Sequence, residues 1–228
     1  MKLSISMTRR ESILGWSYLL LSMFVLPTLF VVANNLLPDP FSDTVINLIY
    51  FAVNFVAIAV IFRRFLVSSV KAALAVPWHC LWYALLGLVF YFTLMNLLSW
   101  GILLIDPDFS NVNDNSIAQL TQEHYPLMML TTVILVPITE ETLYRGLLFQ
   151  GLQRTNRALA YTLSVFVFAA IHIISYIGMS DFLTLSLCFV QYLPAGICLA
   201  WAYEKSDTIV APMLIHIVIN LIGITAMR

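Results

Sequence analysis

What most limits this chain is how little of it is charged and where that charge sits. Seven stretches run long enough without interruption to cross a bilayer, which takes about 20 apolar residues in a helix. They fall at roughly 12–36, 43–62, 78–105, 125–153, 158–177, 182–203 and 207–226. Hydrophobic residues make up 61% of the 228, against roughly 45–50% in soluble domains. Charged residues make up 10%, against roughly 25% in such domains. A folded surface facing water cannot be covered from such a composition. The fold class expected is therefore all-α: a polytopic transmembrane helical bundle of about seven spans, with six and eight as the bounds. A short stretch near 65–76 is too short to span and reads as an interfacial helix or packed connector.

The loops give an orientation. Lys2, Arg9 and Arg10 precede span one, Arg63, Arg64 and Lys71 follow span two, Arg154 and Arg157 follow span four, and Lys205 follows span six. The opposite loops carry Asp39, Asp43, Asp106, Asp108, Asp114, Glu123 and Asp181 with no Lys or Arg. The positive-inside rule then puts the N-terminus in the cytoplasm. The first apolar run continues for about 25 residues, longer than a signal-peptide core, so it reads as an uncleaved span. Residues 106–124 form a polar, acidic connection expected outside. A net charge of −1 implies no nucleic-acid partner. Cys80, Cys188 and Cys198 are odd in number, lie in apolar runs and show no zinc spacing, so they read as packing residues. The sequence carries no signature of an oligomeric state. It divides into residues 1–124, holding spans one to three, and residues 125–228, holding spans four to seven, within a single membrane unit.

Subtracting the loop charges leaves Glu140, Glu141 and Arg145, all in span four. Each charge at a helix centre costs about 2.5–3.5 kcal/mol on insertion scales, so three within six residues need an offsetting role. Glu141 and Arg145 are i,i+4 neighbours and can pair. Glu140 points elsewhere and has no cation one turn away. Pro137 lacks an N–H and frees a carbonyl nearby. Span five carries Phe168 and His172 on one face, and span seven carries His216 and Asn220 at i,i+4. Counted from the cytoplasmic ends of their spans, Glu140, His172 and Asn220 lie about 13–14 residues deep and His216 about 10. At 1.5 Å per residue these depths are about 15–21 Å, a single layer.

A carboxylate, two imidazoles and an amide in one layer supply a base for water and donors for an oxyanion. Peptide-bond hydrolysis then needs no activated serine, threonine or cysteine. The same residues allow a minority zinc reading, because Glu, His and His can form a catalytic metal site. HExxH is absent and the histidines lie on different helices, so the expected cofactor is none. Intramembrane Glu, Arg and His also mark proton relays. A proton-coupled transporter and a non-catalytic scaffold or regulator are therefore the alternatives.

The residues also resemble a known family. EETLYR (140–145) is similar to the EExxxR motif of the CPBP/ABI family, which includes the CAAX prenyl endopeptidases; FAAIH (168–172) is similar to its FxxxH motif and HIVIN (216–220) to its HxxxN motif. The ordered triple covers about residues 125–225. The resemblance implies an intramembrane endopeptidase acting on a membrane-associated peptide or protein. Glu140 and His172 would activate water, His216 and Asn220 would form the oxyanion site, and Glu141 and Arg145 would complete the polar cluster. It also implies metal independence, a multi-pass location in the lipid bilayer of a bacterial plasma membrane, and roles such as bacteriocin immunity.

Overall fold

The computed structural model describes residues 3–228. It is a bundle of eight helices, with no β-strand among the described residues beyond one isolated bridge between Ile177 and Ser180. The helices are α1 (Arg9–Asn35), α2 (Asp43–Ile61), α3 (Arg63–Ala75), α4 (Pro77–Ile105), α5 (Val112–Gln153), α6 (Arg157–Ile171), α7 (Phe182–Ser206) and α8 (Val210–Ala226). Five of them, α1, α2, α4, α5 and α7, are long and apolar enough to cross a membrane. The protein is an integral, multi-pass membrane protein. α3 is the short connector expected after span two.

Local signals set the helix starts. Thr8 and Glu11 form a reciprocal capping box at α1, with Glu11 N 3.2 Å from Thr8 Oγ1 and Thr8 N 2.8 Å from Glu11 Oε2. Asn156 caps α6 through Leu159 N, and Asp181 caps α7 through Thr184 N. α7 ends at Asp207, whose φ of 57° is left-handed, a conformation Asp tolerates better than most residues.

Two sequence expectations change. The segment 106–124, read as a loop, is mostly helix: α5 begins at Val112 and runs through a kink at His124, where φ is −146° and ψ 70°. Asn111 starts it, its Oδ1 accepting from Asn113 N at 2.9 Å and Asp114 N at 3.3 Å. A polar run is a poor span but an adequate helix once capped, and Pro126, at i+2 from His124, accounts for the break. The predicted spans five and seven are also shorter than expected. α6 has 15 residues and α8 has 17, so α6 falls short of the usual spanning length and α8 lies at its lower limit. α6 stops at His172 although the following residues are apolar. The His172 ring donates from Nδ1 to Phe168 O at 2.7 Å, and the backbone N–H of His172 turns instead to Ala169 O at 3.3 Å. The side chain has taken the carbonyl that the next helical turn would use.

α5 is the central element. Half of its most apolar window is buried, against 6% of that of α4, which lies at the edge facing lipid. α7 packs against α4 and α6 at close range. Gly196 permits this, because a Cβ there would lie 3.2 Å from Val165 Cα. Near the C-terminal end of α7, Glu204 accepts two bonds of 2.7 Å from Arg157, one of 2.8 Å from Tyr161 and one of 3.0 Å from Gln153. That cluster ties α5, α6 and α7 together below the site. Cys80, Cys188 and Cys198 are free and buried, as packing residues should be.

Candidate active site

The site is built on irregular helix. α5 widens into five-residue turns at Thr131–Leu135 and again at Thr142–Phe149, on either side of the Glu140–Glu141 pair. Such turns shift side-chain direction and are frequent at functional sites. The first has an identifiable consequence. Val136 N–H reaches back five residues to Thr131 O. In that register Thr132 O would accept from residue 137, which is proline and has no N–H. Asn220 of α8 fills the vacancy, donating from Nδ2 to Thr132 O at 2.7 Å. The carbonyl freed by Pro137 is thus the anchor for Asn220.

Glu140, His172, His216 and Asn220 all line one cavity of about 530 Å³. Glu140 presents a carboxylate whose Oε2 is buried with no hydrogen-bond partner. Its neighbour Glu141 is wholly buried and does not line the cavity. Glu141 Oε1 accepts from Arg145 Nη1 at 3.0 Å and from His216 Nδ1 at 2.8 Å. Arg145 is also wholly buried. Its Nη2 lies 3.4 Å from Gly196 O, and its guanidinium sits 4.3 Å above the Phe168 ring.

These bonds fix proton positions. A carbonyl oxygen only accepts, so His172 carries a proton on Nδ1 and leaves Nε2 bare in its neutral form. Likewise His216 donates from Nδ1 to a carboxylate, the arrangement in which a second residue sets imidazole orientation. The Phe168 ring meets the His172 ring at 4.7 Å and the His216 ring at 5.8 Å between centroids, so one aromatic group spaces both.

The sequence reading expected Glu140, His172, His216 and Asn220 in one layer and they line one cavity, but the polar cluster around them is divided differently. Glu141 and Arg145 read as a closed pair, whereas Glu141 is a bridge that also holds His216. The cavity also has walls from α1 and α2, including Ser22, Phe30, Tyr50 and Asn54. Tyr18 donates to Asn54 Oδ1 at 2.7 Å and Tyr50 to Ser22 O at 3.1 Å, which orients that wall. Asn54 donates from Nδ2 to Tyr50 O at 2.8 Å, and Tyr50, one turn before it on the same face, was the available signal for a lining. Sequence reasoning also missed Tyr192 of α7, stacked on His172, and Asp114, which lines the cavity from the segment taken as a loop. Among the described residues no three His, Cys, Asp or Glu side chains converge to hold a metal ion.

Residues 122–222 match the family model described as type II CAAX prenyl endopeptidase Rce1-like. Over these residues, somewhat under half of the chain, it is similar to the CPBP family. The Rce1-like region contains Glu140, Glu141, Arg145, His172, His216 and Asn220. A UPF0177 protein, YxdF, of Lactococcus lactis subsp. lactis (strain IL1403) is 26% identical over 146 residues, 63% of this chain and 76% of that protein. No solved structure matches the chain. The Rce1-like match supports a protease of the CAAX endopeptidase type at the level of the family.

Proposed function

We propose that this Rce1-like protein is a metal-independent intramembrane endopeptidase that hydrolyses a peptide bond of a membrane-associated peptide or protein, using water activated by Glu140. The observation that carries this reading is the contrast between adjacent glutamates. Glu141 Oε1 accepts from both Arg145 and His216, leaving only its Oε2 without a partner, whereas the Glu140 carboxylate accepts no hydrogen bond among the described residues and lines a cavity shared with two imidazoles and an amide.

In this reading a water sits between Glu140 and the bare Nε2 of His172. As the water oxygen attacks the scissile carbonyl carbon, Glu140 takes its proton. The carbonyl oxygen becomes an oxyanion, stabilised by donors from α8. Asn220 has one amide N–H committed to Thr132 O and one left to give. His216 can donate from Nε2 only when its ring carries both protons, and Glu141, accepting from Nδ1, compensates the charge this brings. Collapse of the intermediate breaks the C–N bond, and Glu140 returns its proton to the leaving amine. Arg145 pairs with Glu141 and so acts through it. The substrate segment must enter unfolded, since helical peptide bonds are shielded, and the bilayer of a bacterial plasma membrane is the proposed setting.

The test compares cells carrying only the wild-type chain with cells carrying only Glu140→Gln, by sequencing the new N-termini of membrane peptides. The expected result is a peptide or lipoprotein precursor that accumulates uncut in the variant at equal expression, with cleavage by purified wild-type protein unaffected by thorough chelation. Identical peptide sets, or a phenotype retained in the variant, would favour a scaffold. Lost ion or solute flux without any cleaved product would favour a transporter. Cleavage abolished by chelation and restored by zinc would return the metal reading.

A further inference from the structure

His172 lies just past the end of α6, where the chain leaves the helix, and among the described residues its ring makes one hydrogen bond, to Phe168 O in its own helix. That bond fixes Nδ1 but permits the ring to swing about it. One further element limits the swing. The Tyr192 ring stacks on the imidazole at a centroid distance of 4.2 Å and an interplanar angle of 27°.

Tyr192 is itself held from a third helix. Its hydroxyl accepts from Asn113 Nδ2 at 2.9 Å and lies 3.2 Å from Asp114 Oδ1, to which it can donate. Next to it, Asn111 Nδ2 donates to Gln191 Oε1 at 2.7 Å. All three partners belong to the capped start of α5, beyond the kink at His124. Tyr192, Asp114, His172, His216 and Asn220 also border a second cavity of about 240 Å³ on the side of α4. The stacked pair is therefore part of a partition between two cavities.

We infer that Tyr192 is the positioning residue for His172: its ring keeps the imidazole aimed with Nε2 available to water, and Asn113 and Asp114 hold that ring through its hydroxyl. This assignment rests on the reading of His172 as a water-holding group. It adds that the polar start of α5, far along the chain from every motif residue except by contact through Tyr192, sets the geometry of the chemistry. A parallel stack of two flat rings constrains rotation about the imidazole's last torsion, a broad and otherwise soft degree of freedom.

The experiment is nuclear magnetic resonance of the full chain in phospholipid nanodiscs with isotope-labelled histidine, which reports the tautomer of each ring without needing a substrate. His172→Gln and His216→Gln spectra assign the two site signals. In the wild type, His172 is expected in a single Nδ1–H form. Tyr192→Leu should introduce the Nε2–H form and broaden the signal, leaving His216 as it was. Tyr192→Phe, which keeps the face and loses the tie, should fall between. A Tyr192→Leu spectrum matching wild type at His172 overturns the assignment, as does a Phe variant indistinguishable from Leu. Should Leu move His216 too, the fold has been disturbed. Asn113→Ala combined with Asp114→Ala then decides: extra tautomer exchange at His172 supports the tie, and an unchanged signal overturns it. Failure here with loss of cleavage in Glu140→Gln would leave the endopeptidase reading standing, and the reverse result would leave the stacking standing.

Discussion

Replacing each of the two adjacent glutamates by glutamine should have opposite effects on stability. Glu141 and Arg145 are wholly buried, with their charged atoms 3.0 Å apart. At an effective dielectric of about 20, that separation is worth about 5.5 kcal/mol of attraction. Removing one partner of a buried pair strands the other, at a cost of about 3–5 kcal/mol. Glu141→Gln strands Arg145, whose Nε already lacks a partner, and weakens the hold on His216. The expected loss is therefore about 3–5 kcal/mol, equivalent to roughly a hundred- to several-thousand-fold in the folding equilibrium. Glu140→Gln removes a buried charge with no compensating cation in contact, so it should change stability by less than about 1 kcal/mol or raise it. The protein carries its own reporter, since Cys80, Cys188 and Cys198 are free and buried. Heating detergent-solubilised protein with a thiol-reactive fluorophore would read their exposure. Glu141→Gln should melt on the order of 10 °C below wild type and Glu140→Gln close to it. Arg145→Met added to Glu141→Gln should recover much of the loss, because no stranded charge remains. Equal melting of the two glutamine variants, or additive losses in the double variant, would refute the division of labour between the glutamates.

Two further substitutions probe the scaffold. Gly196→Ala places a Cβ 3.2 Å from Val165 Cα, a backbone atom that cannot rotate away. It should cost about 1–3 kcal/mol by overpacking, read in the same thermal assay, and wild-type melting would show that α6 and α7 can part. Asn220→Ala leaves Thr132 O without its donor and should cost about 1 kcal/mol as well as cleavage. Wild-type stability in this variant would mean that the carbonyl finds another partner.

Much of the site was legible because its cues are local. Glu140, Glu141 and Arg145 stand out against apolar neighbours, since each must offset its own cost of burial. Pro137 announces a freed carbonyl whatever the fold around it. Depth counting worked because rise per residue is nearly constant, and it brought His172, His216 and Asn220 to the level of Glu140. The legible part stopped at partners. Five-residue turns on both sides of Glu140 change the angular register that a 100° wheel assumes. Whether His216 meets Glu140 or Glu141 depends on that local widening and on how α8 lies against α5.

The sequence alone determined that this chain folds as apolar helices and that four polar residues on three of them, Glu140, His172, His216 and Asn220, lie at one depth. Burying charge and apolar length are properties of each segment by itself. Only the tertiary structure decided that Glu141 joins Arg145 to His216 while Glu140 faces the cavity. It alone brought walls from α1 and α2, ended α6 at His172 and set Tyr192 against that imidazole. Those are contacts between segments far apart in the chain, fixed by the packing of whole helices, and no local spacing encodes them.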